Sequence, residues 1–273
     1  MKKLILLTVF VMAGCSSSEV IQSESVTQPD KAVDRSAEKL EPEIKREEKL
    51  SVSQYSPLDE AIKQQNDDAI QKASAQILTQ SSKDLKALNA LAMVYFKRGR
   101  LEAATYLLNK ALAAYPDSSE THSNRGLVEL AKGERREAVK SFRKAIEIDP
   151  KNAVAGANVG ALYVQEKDYN KALLALDIAV KNGVRDYKTM NNYAISLTGT
   201  GKTKEAADIY EKILKENPSQ KEVMLNYSIL LIEEMQKYKE GLDLLNRLKF
   251  VGTGSDSRQV IKELEIKAKA GLQ

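Results

Sequence analysis

Residues 112–118 read LAAYPDS, residues 146–152 read IEIDPKN and residues 214–220 read LKENPSQ. Their prolines, Pro116, Pro150 and Pro218, are separated by 34 residues and by 68, twice that interval. Val184, just after Gly183 in KNGVRD, fills the place of the missing proline. On this period one column holds Gly99, Gly133 and Gly201, with Lys167 in the third copy. A second holds Ala104, Ala138, Ala172 and Ala206, and a third, four residues on, holds Leu108, Phe142, Leu176 and Tyr210. A fourth holds Ala111, Ala145, Ala179 and Ile213. Each copy opens with apolar residues at helical spacing, as in Leu88, Leu91, Ala92 and Tyr95. Glycine then suits a tight turn at positive φ. Alanine lets a second helix approach the first closely, and proline, unable to donate the next backbone hydrogen bond, closes the unit. No such unit buries its own face, so neighbours must stack into one core.

These columns resemble the tetratricopeptide repeat, a helix–turn–helix unit with the pattern W-x2-L-G-x2-Y…A-x3-F…P. The resemblance implies an all-α fold, a right-handed superhelical solenoid. Clear repeats are expected at 85–118, 119–152, 153–186 and 187–220, a fifth at 221–250 with about one extra residue in its turn near Gln236–Tyr238, and a degenerate first at about 54–84. The solenoid then covers 51–250, and 251–273 supplies a loop and a capping helix. In that helix Ser257 is the N-cap, Ile261, Leu264 and Ala268 form the inner stripe, and Gly271 follows the end.

Within this frame SLTGTGKTKEA, residues 196–206, needs a decision, because Gly201-Lys202-Thr203 is the tail of a phosphate-binding loop. The first glycine of that loop would fall at Ser196, and a strand should precede it. Instead NNYAISL reads as a first helix and Gly201 shares the column of Gly99 and Gly133. Lys202 and Thr203 are turn residues, Thr203 near a helix N-cap, and no nucleotide site is expected.

The chain begins MKKLILLTVFVMAGCSSS. Lys2 and Lys3 precede an apolar run, Leu4 to Met12, that is too short to span a bilayer, which takes roughly 20 residues. This is a secretion signal over residues 1–14. Met12, Ala13, Gly14 and Cys15 resemble the lipobox of bacterial lipoproteins, although leucine is commoner where Met12 stands. The resemblance implies a covalent lipid on Cys15, the single cysteine of the chain, with two or three acyl chains and stable membrane anchoring. Ser16, being other than aspartate, then implies the periplasmic face of an outer membrane in a diderm organism. With one cysteine there is no internal disulfide, so the fold holds by packing. Residues 15–50 are rich in Ser, Glu and Lys and poor in aromatics, and read as a lipidated cysteine and flexible tether with an r.m.s. span on the order of 30–35 Å. Ala37 to Leu50 reads as a transient helix with i,i+4 charge pairs.

The formal charge is +4, and removing Lys2 and Lys3 with the signal leaves 4 − 2 = +2. Such a balance lacks the basic footprint of a nucleic-acid binder. His122, the one histidine, stands in a helix-packing column that Leu88 and Met190 fill elsewhere. Without a second histidine, a cysteine pair or a recognisable acid pair, no catalytic residue, metal site or cofactor beyond the lipid is expected.

The informative column is asparagine: Asn124, Asn158, Asn192 and Asn226 recur at the sixth position of the first helices, with Ala90 breaking it in repeat one. In tetratricopeptide superhelices the first helices line the concave surface. This column is similar to the asparagine ladder of the O-GlcNAc transferase superhelix, which holds the backbone of an extended peptide. An amide offers two donors and an acceptor, so it can pair with any peptide backbone, or equally with the neighbouring helix. Asn89, Met93, Phe96, Leu127, Ala161 and Ile195 are the groove positions expected beside it. Lys97, Leu130, Val164, Ile229 and Ile232 extend a mostly apolar floor. The carboxylate clamp of chaperone-binding repeats is not expected: Asn124 fits one position, but Met93, Val154 and Asn158 stand where another asparagine and basic residues are wanted. The expected function is a membrane-anchored scaffold or assembly factor that binds a protein segment in the groove. In layout it resembles pilotins of type IV pili and repeat lipoproteins of gliding-motility complexes. Self-assembling spacer and accessory part of a cell-wall enzyme are the alternatives.

Overall fold

The computed structural model describes residues 52–254 and 257–273. Cys15, its lipobox, the signal and the tether lie outside these described residues. The described chain is a succession of helix–turn–helix pairs. Their helices are α1 (Val52–Lys63) and α2 (Asp67–Gln80), α3 (Leu85–Lys97) and α4 (Leu101–Ala114), and α5 (Ser119–Ala131) and α6 (Arg135–Ile148). Then come α7 (Ala153–Gln165) and α8 (Tyr169–Lys181), and α9 (Tyr187–Gly199) and α10 (Thr203–Glu216). The last pair is α11 (Lys221–Ile229), continued by a π-turn at Leu230–Glu234, and α12 (Tyr238–Val251); a single helix, α13 (Arg258–Gly271), follows.

Both ends of the first helices are set by the repeat. Asp84, Ser118, Asn152 and Asp186 stand one residue before α3, α5, α7 and α9, and each side chain accepts the N–H three residues on, at 2.8–3.3 Å. Each of these helices then turns through a left-handed residue: Gly99, Gly133 and Gly201 at φ 71°, 80° and 82°, and Lys167 at φ 61°. Gln65 and Gln236, at φ 53° and 57°, occupy the same place in the first and last pairs. Gly201 is exposed in the α9–α10 turn and Lys202 precedes α10 as an exposed residue.

The small and large columns meet across each pair. Ala104, Ala138, Ala172 and Ala206 are fully buried, as are Leu108, Phe142, Leu176 and Tyr210. A Cβ on Gly126 would lie 2.7 Å from the Phe142 ring, and one on Gly160 2.5 Å from Leu176. Hence the large side chain of the second helix is accommodated by a small one, Ala92, Gly126, Gly160 or Ala194, on the first.

One expectation is corrected here. The extra residue of the last repeat is not in its turn but in the helix before it. Met235 N–H bonds to Leu230 O, five residues back, at 3.0 Å. The bond that closes this turn, Lys237 N–H to Leu231 O, spans six residues, against five in Arg100–Tyr95, Glu134–Glu129, Asp168–Tyr163 and Lys202–Leu197. A π-turn absorbs one residue without breaking the helix, so the following turn keeps its geometry.

The first helices α3, α5, α7 and α9 pack on one another as well as on their partners, whereas the second helices pack chiefly against the first helices on either side. The layer in which neighbours touch is the inside of the curve, so first helices line the inner face and second helices the outer. At the far end Val223 through Ile232 are buried without a break. There α13 packs on α12 and reaches α11 and the π-turn, burying Ile261, Leu264 and Ala268.

Candidate interaction groove

The inner face begins with a cleft of about 810 Å³ between α1, α3 and α5, lined in part by Tyr55, Asn89, Met93, Lys97 and Asn124. Its wall is braced at the start of α3. The Tyr55 hydroxyl donates to Asp84, the carboxylate that caps α3. That hydrogen bond, with burial, pushes the Tyr55 pKa up to about 12. Lys86 pairs with Asp59 and stands 5.2 Å over the Tyr55 ring, and Lys97 pairs with Asp67 at 2.8 Å. The cleft's cations thus already have partners at their first-repeat side.

The groove residues divide into two sets. Met93, Phe96, Leu127, Leu130, Asn124 and Asn158 are half-buried, and of these Met93 and Asn124 line the open cleft. Asn89, Ala161, Ile195, Asn192 and Asn226 are buried, as are Val164, Ile229 and Ile232. The placement of Ala161, Asn192, Ile195 and Asn226 on an open groove surface, and of Val164, Ile229 and Ile232 in its floor, is therefore corrected. First helices pack on one another along the inner layer, and toward α11 little of that layer stays exposed.

The asparagine column is uneven because of the residue one position before it in the preceding repeat. Asn124 Nδ2 donates to Asn89 Oδ1 at 3.2 Å, and Asn226 Nδ2 to Asn191 Oδ1 at 3.1 Å. Asn89 also donates to Thr121 Oγ1 at 2.8 Å. These rungs tie adjacent repeats together. Where that position is Ser123 or Ala157, the rung is missing. Asn158 Nδ2 turns to Val154 O of its own helix at 2.8 Å, and Asn192 Oδ1 has no partner. The Ser123 hydroxyl and Asn191 Nδ2 are likewise buried without partners. Reading the sixth position alone misses this, and the fifth position, Asn89, Ser123, Ala157 and Asn191, carries the signal.

His122 is half-buried and its Nε2 lies 2.8 Å from Pro116 O, a bond to the loop before its own helix. Among the described residues no group of three or more His, Cys, Asp or Glu could hold a metal ion, and no helix is long and apolar enough to cross a membrane.

Residues 83–151 and residues 160–221 each match a family model described as tetratricopeptide repeat. The chain is 28% identical over 148 residues to the type IV pilus assembly protein PilF of Pseudomonas aeruginosa, covering 54% of this chain and 59% of that one. It is 24% identical over 190 residues to Superkiller protein 3 of Saccharomyces cerevisiae, of which it spans 13%. The chain thus spans less than two thirds of each of these relatives. Among solved structures it is similar to YrrB, described as a repeat protein with an unusual peptide-binding site. The TM-score is 0.61 at 18% identity, over 73% of this chain and 99% of that one. It is also similar to the P. aeruginosa PilF structure, with TM-score 0.52 at 25% identity, over 68% and 88%. The chain carries tetratricopeptide repeats, and its all-α solenoid is the one those repeats build.

Proposed function

We propose that this repeat chain is a scaffold and not an enzyme, anchored through a lipid on Cys15, that holds a segment of another protein along its inner face. One observation carries the reading: the asparagine column is not wholly consumed by the fold. Asn124 and Asn226 bond to the repeat before them and Asn192 is buried, while half-buried Asn158 commits only an N–H within its own helix. The amide oxygen of half-buried Asn158 suits an N–H group of an extended backbone, and half-buried Met93 and Leu127 suit its apolar side chains. The ligand enters at the open cleft by Met93 and runs toward Asn158. The likeness to a pilus assembly protein supports an assembly role in an envelope machine such as a type IV pilus; a gliding apparatus rests on layout alone. Ser16 after the lipidated cysteine supports the periplasmic side of an outer membrane.

Photocrosslinking tests the groove. A photoreactive residue at Asn158 should capture a partner in cells, and one at exposed Tyr106 on α4 should not. Capture from Tyr106 alone sinks the inner-face reading. Cell fractionation tests the anchor: Cys15→Ala should move the protein from membranes to the soluble fraction, and a variant that stays with membranes is anchored elsewhere.

A further inference from the structure

The outer face holds a second cleft, of about 740 Å³, between α6 and α8 with α7 as its floor. Second helices do not fill the space between one another, so a furrow opens where their side chains are spaced for it. Val159 and Tyr163 form the floor, and Ile146, Leu174 and Ile178 the walls. Leu174 is 73% exposed, a large apolar side chain on the face where Lys140 and Asp208 stand in adjacent repeats.

The rim is basic. Lys140, Arg143 and Lys144 approach from α6 and Lys171 from α8, with Glu147 the one acid in the lining. Lys140, Lys144 and Lys171 have carboxylates nearby: exposed Glu137 at 3.5 Å, exposed Glu147 at 3.3 Å and half-buried Asp168 at 2.6 Å. Surface pairs of this kind are weak and readily exchanged. Arg143 has no carboxylate partner among the described residues. Asp168 raises the Lys171 pKa, while Arg143 opposes it from across the cleft. Arg143 and Lys171 thus line the apolar furrow from opposite helices, and Arg143 is the cation that an anionic partner can pair without displacing a carboxylate.

We infer that this outer cleft binds an acidic amphipathic helix of a partner protein, its leucine- or phenylalanine-sized side chains in the furrow and its carboxylates against Arg143 and Lys171. An amphipathic helix lays an apolar row into a furrow of this kind, whereas a bilayer surface cannot reach the buried floor at Val159. The inference shares no residue with the inner groove and does not depend on it.

The probe is a fluorescent synthetic helix with leucines at i, i+3, i+4 and i+7 flanked by glutamates, titrated into the full chain by anisotropy. Binding should weaken about tenfold or more with Arg143→Glu plus Lys171→Glu, and comparably with Leu174→Ser. It should weaken with added salt, and persist in Met93→Glu, which alters only the inner face. A peptide with lysines in place of the glutamates should fail to bind. Equal binding by the lysine peptide, indifference to the outer-face variants, or loss in Met93→Glu overturns the inference. So does a charge-reversed chain that keeps the peptide but loses phosphatidylglycerol vesicles, which assigns the rim to a membrane surface. Should any variant lose its helical circular dichroism, a photoreactive residue at Leu174 decides: an adduct on the peptide's leucine row is expected, and its absence refutes the inference.

Discussion

Asn124 and Asn158 have the same neighbours in sequence register but different bonds, and the difference is a single atom group one repeat away. Asn124→Ala removes the donor to buried Asn89 Oδ1 and should cost about 1–2 kcal/mol in urea unfolding. Asn158→Ala removes an exposed intrahelical bond and should stay within about 0.5 kcal/mol of the parent, while weakening any inner-face ligand. The turn column offers a second test. Lys167 holds φ 61° with a β-carbon where three other repeats use glycine, so Lys167→Gly should stabilise by about 0.5–1 kcal/mol, net of the entropy glycine adds to the unfolded chain. Both positions were visible in the sequence as columns. Their bonding was not, because it depends on which side chain the superhelix brings opposite, and Asn89 and Asn191 become the other halves of rungs only when the repeats stack.

The elements show the same limit in another form. The period predicts six helix pairs and a cap, and the columns identify which face of each helix is buried. It also counts an extra residue in the last repeat but cannot say where a helix will absorb it. The π-turn answers that, and predicts that deleting exposed Glu234 restores the common register. The shortened chain should remain folded with little change in its thermal midpoint, whereas deleting buried Leu197 from α9 should abolish the cooperative transition. The first pair depends on a different device, the Tyr55 hydroxyl on the Asp84 cap. Unfolded tyrosine ionises near pH 10, and in the fold the pKa is raised to about 12. The stability this group adds is therefore whole below about pH 10 and lost as pH rises toward 12. Tyr55→Phe should lose about 1 kcal/mol at neutral pH and show a shallower decline between those values, read from urea unfolding at stepped pH.

As a whole the molecule is quasi-one-dimensional, each repeat held by its neighbours. Helix α11 is buried on every side from Val223 onward, and α13 supplies part of that cover. Truncation before Arg258 should therefore strip hydrogen-exchange protection from the last pair while leaving that of α3–α8 near the parent. The outer cleft was the least legible feature of all: Arg143 comes from α6 and Lys171 and Leu174 from α8, and the two sets become neighbours only when the repeats stack. The curvature of the stack has a mechanical side. Neighbouring first helices touch and neighbouring second helices leave gaps, so the inner layer is a fulcrum and each outer furrow is the open jaw of a lever. A body wedged into the jaw between α6 and α8 would spread it and tighten the bend, and a body holding the opposite channel wide would, by reciprocity, squeeze the jaw; distances between spin labels on α6 and α8 should then lengthen with the first and shorten with the second.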